Sequence, residues 1–168
     1  MKHFINPFYL KRARKMFDFP LFLDMTGKPA VVVGGGKVAA RKTKKLLGAG
    51  ADITVVAPTI HDDLTYLYDQ GDIDWIKDIC REDYVTSAFI IISASGDGEA
   101  QRIIRESMHP FQLVNGADNP ELGNTVFPAA FQDEEFHVAV STNGASPTAA
   151  KSVKRKLQKW FAAKNYRK

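Results

Sequence analysis

The stretch AVVVGGGKVAARKTKKLLGAGADITVVAP, residues 30–58, changes its hydrophobic period twice. It opens on four apolar residues, 30–33, as in a strand buried on both faces of a parallel sheet. Three glycines, Gly34, Gly35 and Gly36, interrupt the run. Helical spacing follows, with Ala39, Thr43, Leu46, Leu47 and Gly50 in phase, and Arg41, Lys42, Lys44 and Lys45 mostly on the other faces. Gly48 and Gly50 stop the helix, and residues 52–56 form a second apolar strand. Strand, glycine turn, helix and strand within 30 residues make one βαβ unit.

The alternation continues more weakly on the C-terminal side. Residues 60–70 read as helix, 73–76 as a short strand, 89–94 as an apolar strand, 99–108 as helix and 113–115 as a strand. The expected fold is α/β, a Rossmann-like, mostly parallel sheet with right-handed crossovers. After Asn115 the pattern changes. Residues 125–131 and 136–141 are extended stretches joined by the acidic turn at 132–135, a β-hairpin in which Pro128 suggests an edge or bulge. Ser146 and Pro147 suit the N-cap and first position of a final helix, with Val153, Leu157, Trp160 and Phe161 as its apolar stripe. The expected organisation is a nucleotide-binding domain over 1–115, of which about 1–20 is a basic lead-in segment, a hairpin segment over 116–145, and a C-terminal helix over 146–168.

Composition bounds the rest. The chain has 168 residues, 45% hydrophobic and 25% charged, which is ordinary for one globular domain. Its single cysteine, Cys80, excludes an intrachain disulfide and any multi-cysteine metal site. No apolar run approaches the roughly 20 residues that span a bilayer. The N-terminal segment has no secretory pattern, so the expected location is cytoplasmic. The formal charge of +4 is modest, and residues 151–168 are basic without one acidic residue. Such an excess suits nucleic acid, a membrane surface or a polyanionic small molecule, and equally a plain solvated face.

Gly34, Gly36 and Ala39 fit the dinucleotide fingerprint G-x-G-x-x-G/A. Gly34 permits the tight turn, Gly36 lets the backbone approach a pyrophosphate, and Ala39 allows close packing of helix on strand. The phosphate would sit on N–H groups at the helix N-terminus, near Lys37 and Val38. The acidic residue expected at the end of the second strand is missing: that end reads Val56, Ala57, Pro58, Thr59. Backbone groups near Pro58 and Thr59 are the expected ribose contacts, and spacing alone leaves NAD against NADP open.

With residues 89–94, Asp97, the Val114-to-Pro120 segment and the Ser141-to-Pro147 segment, the glycine stretch resembles the precorrin-2 dehydrogenase and sirohydrochlorin ferrochelatase family, the NAD-binding module of siroheme synthase. The likeness runs from about residue 20 to about residue 157. It implies oxidation of precorrin-2 to sirohydrochlorin with NAD+, followed in some members by insertion of Fe2+. It further implies Asp118 as the catalytic carboxylate, Ser95 among the cofactor contacts, and Asn115, Ser141, Thr142 and Ser146 as substrate contacts. Read without the likeness, Asp118 is first an Asx-turn residue before Asn119 and Pro120, and Ser146 is a plain helix cap, a role compatible with substrate contact. The likeness implies a homodimer built through the hairpin, whose open edges favour pairing with a second chain.

Family members continue into a small helical domain where this sequence stops at Lys168. Either the protein is naturally short or the sequence is cut short; a missing helical domain would leave the substrate site more open, and metal insertion is the less expected of the two activities. No metal cage is legible, because His3, His61, His109 and His137 lack ligand spacing, and Cys80 reads as an ordinary small residue. The competing class is a non-catalytic NAD(P)-binding sensor or regulatory module. Nucleic acid is not an expected partner, since Trp160 and Phe161 belong to the helix's apolar stripe, nor is a membrane, since no apolar run is long enough to span one.

Overall fold

The structure is a computed structural model that describes residue 17 and residues 19–163. Residues 1–16 and 18 of the basic lead-in segment, His3 among them, and the basic tail beyond 163 lie outside the described residues. Leu21–Val126 forms one compact unit, and the described residues outside that span belong to a second.

In the first unit, β1 (Pro29–Val33), β2 (Asp52–Val56), β3 (Asp74–Ile76), β4 (Ile90–Ser93) and β5 (Leu113–Gly116) make a parallel sheet in the order β3-β2-β1-β4-β5. The helices between them are α1 (Lys37–Leu47), α2 (Asp62–Asp69), α3 (Glu82–Val85) and α4 (Gly98–Ser107). The chain leaves β1 toward β2 and β3, then returns to β1's other side for β4. The sheet therefore reverses direction between β1 and β4, and ligands of such sheets bind beyond the strand ends at that point. The Rossmann-like α/β expectation is met, with most elements within two residues of their expected ends.

Alternation along the strands gives the sheet two apolar faces. Val31, Val33, Ile91 and Val114 face one core with Val85, Ala100, Ile104 and Leu122. Val32, Val55 and Ile92 are also fully buried. α1 packs on β1 and β2 through Ala39, Ala40, Thr43 and Leu46. α3 has no counterpart in the sequence reading, because four residues are too few to show a helical period.

Amides complete the β5 edge. Asn124 Oδ1 accepts from Val114 N–H at 2.8 Å, and the N–H groups of Asn124 and Thr125 donate to Val114 O at 2.8 and 3.0 Å. Buried Gln112 donates through Nε2 to the carbonyls of Val85, Thr86 and Ala88 at 2.7–3.0 Å. Asn124 Nδ2 donates to Gln112 O at 2.8 Å.

In the second unit, β6 (Ala129–Gln132) and β7 (His137–Val140) pair antiparallel, and α5 (Pro147–Ala162) packs on both. Pairing begins only after Pro128, which has no N–H to offer, so the strand is shorter than the extended stretch expected from 125. The hairpin closes through Asp133 N–H on Phe136 O at 2.8 Å. α5 starts as expected, with Ser146 Oγ accepting from Ala149 N–H. Its apolar stripe is less covered than the sequence suggests. Phe161 meets Phe131 and Phe136 edge-on, whereas Val153 and Trp160 remain 45% and 44% exposed. Two strands are too narrow to cover the stripe of a 16-residue helix.

Thr43 is fully buried on α1, and its Oγ1 has no hydrogen-bond partner among the described residues. An unsatisfied buried hydroxyl costs about 1–3 kcal/mol. Thr43→Val is therefore expected to stabilise the protein by about 1 kcal/mol, read as a higher denaturant midpoint with an unchanged m-value.

Candidate functional site

The C-terminal ends of β1, β2, β3 and β4 open into a cleft of about 570 Å3. Gly34, Gly35 and Gly36 form its floor. Pro58, Thr59 and His61 come from beyond β2, Asp78 and Cys80 from beyond β3, and Ser95 and Asp97 from beyond β4.

The three glycines do different jobs. Gly34 has φ +123°, and a Cβ there would lie 2.6 Å from the Ala94 backbone. A Cβ on Gly35 would lie 1.9 Å from Thr59 O. Both are glycine because neighbouring backbones touch them. Gly36 differs: its φ is −84°, and a Cβ would meet nothing within 4 Å. It is the N-cap of α1 and offers no side-chain acceptor to the first-turn N–H groups. Asp, Asn or Ser would cap this helix better. A bare N-terminus above open space fits a pyrophosphate, which the exposed N–H groups and the helix dipole both favour. Ala39 is fully buried at the helix–strand contact, as the fingerprint requires. Lys37 and Val38 are the first two residues of α1, with exposed side chains, so what they bring to the cleft is backbone N–H.

His61 caps α2, its Nδ1 accepting from Asp63 N–H at 3.1 Å, while its own N–H donates to Gly35 O at 2.7 Å. Asp97 caps α4, accepting from Ala100 N–H at 3.0 Å. Ser95 Oγ accepts from Asp97 N–H at 3.2 Å. Burial, and next the charge of Asp97, push the Cys80 thiol up to about 11, so it stays protonated and unreactive at neutral pH.

Asp118 lies in the loop after β5. Its Oδ1 accepts from Ser93 Oγ at 3.2 Å and its Oδ2 from Gly96 N–H at 2.6 Å. Two donors aim an exposed carboxylate that still has lone pairs to offer. The loop is tight enough that a Cβ on Gly116 would lie 1.9 Å from Asn119 O. Asn115 is buried beneath it, donating through Nδ2 to Thr125 O at 2.9 Å and accepting at Oδ1 from Lys42 Nζ at 2.9 Å. Lys42 is the residue that sequence reasoning missed. Helical phase assigned it mostly to a solvated face, yet it reaches a strand 73 positions away. Burial, then Lys45 and Arg41, push its ammonium down to about 8.

In the second unit, Ser141 Oγ accepts from Asn143 N–H at 3.1 Å, and Thr142 Oγ1 accepts from Ser146 N–H at 3.0 Å. With the Ser146 cap, all three hydroxyls accept from backbone, which leaves each O–H hydrogen for an anion. His137 is an exposed residue of β7, and His109 is exposed. Among the described residues, no three His, Cys, Asp or Glu side chains gather to hold a metal ion. No helix among them is long and apolar enough to cross a membrane.

Residues 21–129 match a family model described as putative NAD(P)-binding. A precorrin-2 dehydrogenase of Bacillus subtilis is 37% identical over 141 residues, which cover 83% of this chain and 86% of that protein. The chain belongs to the precorrin-2 dehydrogenase family. The solved structure of SirC, a precorrin-2 dehydrogenase, matches with a TM-score of 0.75 and 33% identity, over 84% of this chain and 70% of that one. A siroheme synthase of Actinobacillus succinogenes is 35% identical over 144 residues. The chain spans about 30% of the length of such siroheme synthases. Family membership agrees with the resemblance carried by the glycine turn, the Asp118 loop and the Ser141-to-Pro147 segment, and the family's cofactor is a nicotinamide dinucleotide.

Gly36→Asp is expected to leave the fold intact, since space and φ both permit it and Asp caps well. Nucleotide affinity should fall by about two orders of magnitude, because the new carboxylate takes the first-turn N–H groups. Isothermal calorimetry alongside thermal unfolding separates the two effects. Lys42 sets a pH dependence. Its folded value near 8 lies below the usual 10.5, so between these values the unfolded chain binds the extra proton and stability rises with pH. In Lys42→Met that rise should flatten, as read from urea midpoints at pH 7 and 10.

Proposed function

We propose that this chain is a precorrin-2 dehydrogenase that uses NAD+ and yields sirohydrochlorin. Asp118 carries the reading: a carboxylate pre-aimed by Ser93 and Gly96, in the same unit as a glycine turn left uncapped at Gly36. The 37% identity to a precorrin-2 dehydrogenase over most of both chains supports it.

NAD+ supplies the hydride acceptor. The N–H groups from Gly36 to Val38 hold its pyrophosphate, and residues around Pro58, Thr59 and Ser95 line the nucleoside portions. Loss of a hydride from the tetrapyrrole leaves a proton to be removed, and Asp118 accepts it at the oxygen lone pairs that Ser93 and Gly96 leave unused. Asn115, braced by Lys42 and Thr125, keeps the Asp118 loop in place. The substrate is a polycarboxylate, and the hydroxyls of Ser141, Thr142 and Ser146 are donors suited to carboxylates.

The same reading takes the chain as a cytoplasmic homodimer. A two-stranded sheet is marginal alone, and exposed Trp160, Val153 and Phe136 offer apolar surface to a second copy. Fe2+, where it is inserted, is a substrate of the same tetrapyrrole site.

The test is an anaerobic assay with precorrin-2 and NAD+, following NADH and sirohydrochlorin by absorbance. Turnover is expected. Nucleotide binding without turnover would overturn the dehydrogenase and leave a sensor module. Asp118→Asn keeps the shape of the clamp but removes the base, so turnover should fall by about 100-fold or more with nucleotide affinity held within a few fold.

A further inference from the structure

The cleft holds a carboxylate at an unusual place. The end of β2, where a ribose-binding acid is expected, carries Pro58 and Thr59 instead. β3 is the next strand, and its register pairs Ile76 with Val56. The Ile76 carbonyl accepts from both Ala57 N–H, at 3.1 Å, and Asp78 N–H, at 2.9 Å. The second of these bonds spans two residues, so the chain turns at Lys77 and brings Asp78 in just beyond the end of β3, the neighbour of β2. Asp78 and Pro58 line the same cleft.

Three donors fix the Asp78 carboxylate. Tyr84 Oη donates to Oδ2 at 2.9 Å, Arg81 Nε donates to Oδ2 at 2.8 Å, and Ile79 N–H donates to Oδ1 at 2.8 Å. The Tyr84 hydroxyl first, then the Ile79 amide and Arg81, hold its carboxyl below the usual carboxylate range. Oδ1 has one donor and a lone pair left for a vicinal diol.

We propose that Asp78 selects the nucleotide: displaced by one strand from the usual position, it accepts the hydroxyls of the adenosine ribose and repels a 2′-phosphate. The proposal rests on the reading of the cleft as a nicotinamide dinucleotide site. Arg81 is the counterweight. While paired to Asp78 its charge is offset, and when Asp78 is neutral the guanidinium becomes a phosphate partner.

The experiment is titration of NADH and NADPH by nicotinamide fluorescence, with far-UV circular dichroism as the check on folding. The wild-type protein should prefer NADH by at least about tenfold. Asp78→Asn retains an acceptor for Tyr84 and should reduce that preference by about tenfold, chiefly by tightening NADPH. Arg81→Ala should shift the ratio the other way by weakening NADPH further, and it carries the test should Asp78→Asn fail to fold. Wild-type preference for NADPH, or a ratio unmoved in both variants with NADH still bound, overturns the role of Asp78 alone. Binding of neither nucleotide by the wild-type protein overturns the dinucleotide reading, and the role of Asp78 with it.

Discussion

Backbone-to-backbone contact at Gly34 and Gly35 governs the first unit. There the loop after β4 and the segment after β2 press on the turn leaving β1, so closely that any Cβ would overlap a neighbouring main chain. Hydrogen bonds bind the junction: Gly34 N–H to Val56 O, Ala94 N–H to Val33 O, and His61 N–H to Gly35 O. Because three strand ends meet without side chains between them, the cleft has a narrow floor. The N-terminus of α1 then sits directly above it. The uncapped Gly36 and the cap residues of α2 and α4 all take their positions from this contact.

The βαβ unit was legible because each part of it is written locally. Four apolar residues, three glycines and a helical stripe leave little choice, and the strand and helix occur where the period places them. The caps at Asp97 and Ser146 fix helix ends through bonds three residues long. α3 was not legible, for it has a single turn and owes its place to Val85 in the core.

The turn at Gly34 and Gly36 was legible as backbone geometry, and the bonds that hold the loop of Asp118 were much less so. Ser93 lies 25 positions from Asp118, and Lys42 lies 73 from Asn115. Such pairs are made by strand order, which a single sequence does not display. Lys42 misled helical phase because it borders the buried face, where a long side chain can turn inward and bond with its tip. Asp78 was hidden for another reason. The fingerprint looks for an acid at the end of β2, while Asp78, the acid proposed above, follows β3 and lines the same cleft. Trp160 shows the reverse error, since a stripe in the sequence states what a helix could bury and not what the second unit can cover.

The amides around β5 have a consequence for how this molecule behaves in a crowd. β5 is an outer strand of the parallel sheet, the kind of edge on which a foreign strand could begin to add. Asn124 and Thr125 saturate both the N–H and the C=O of Val114, imitating one rung of a neighbouring strand. At the opposite side β3 is only three residues long, too little to template a ladder. The sheet thus offers little open edge on either flank, one rung of β5 being already taken and β3 being short, which works against the addition of foreign strands.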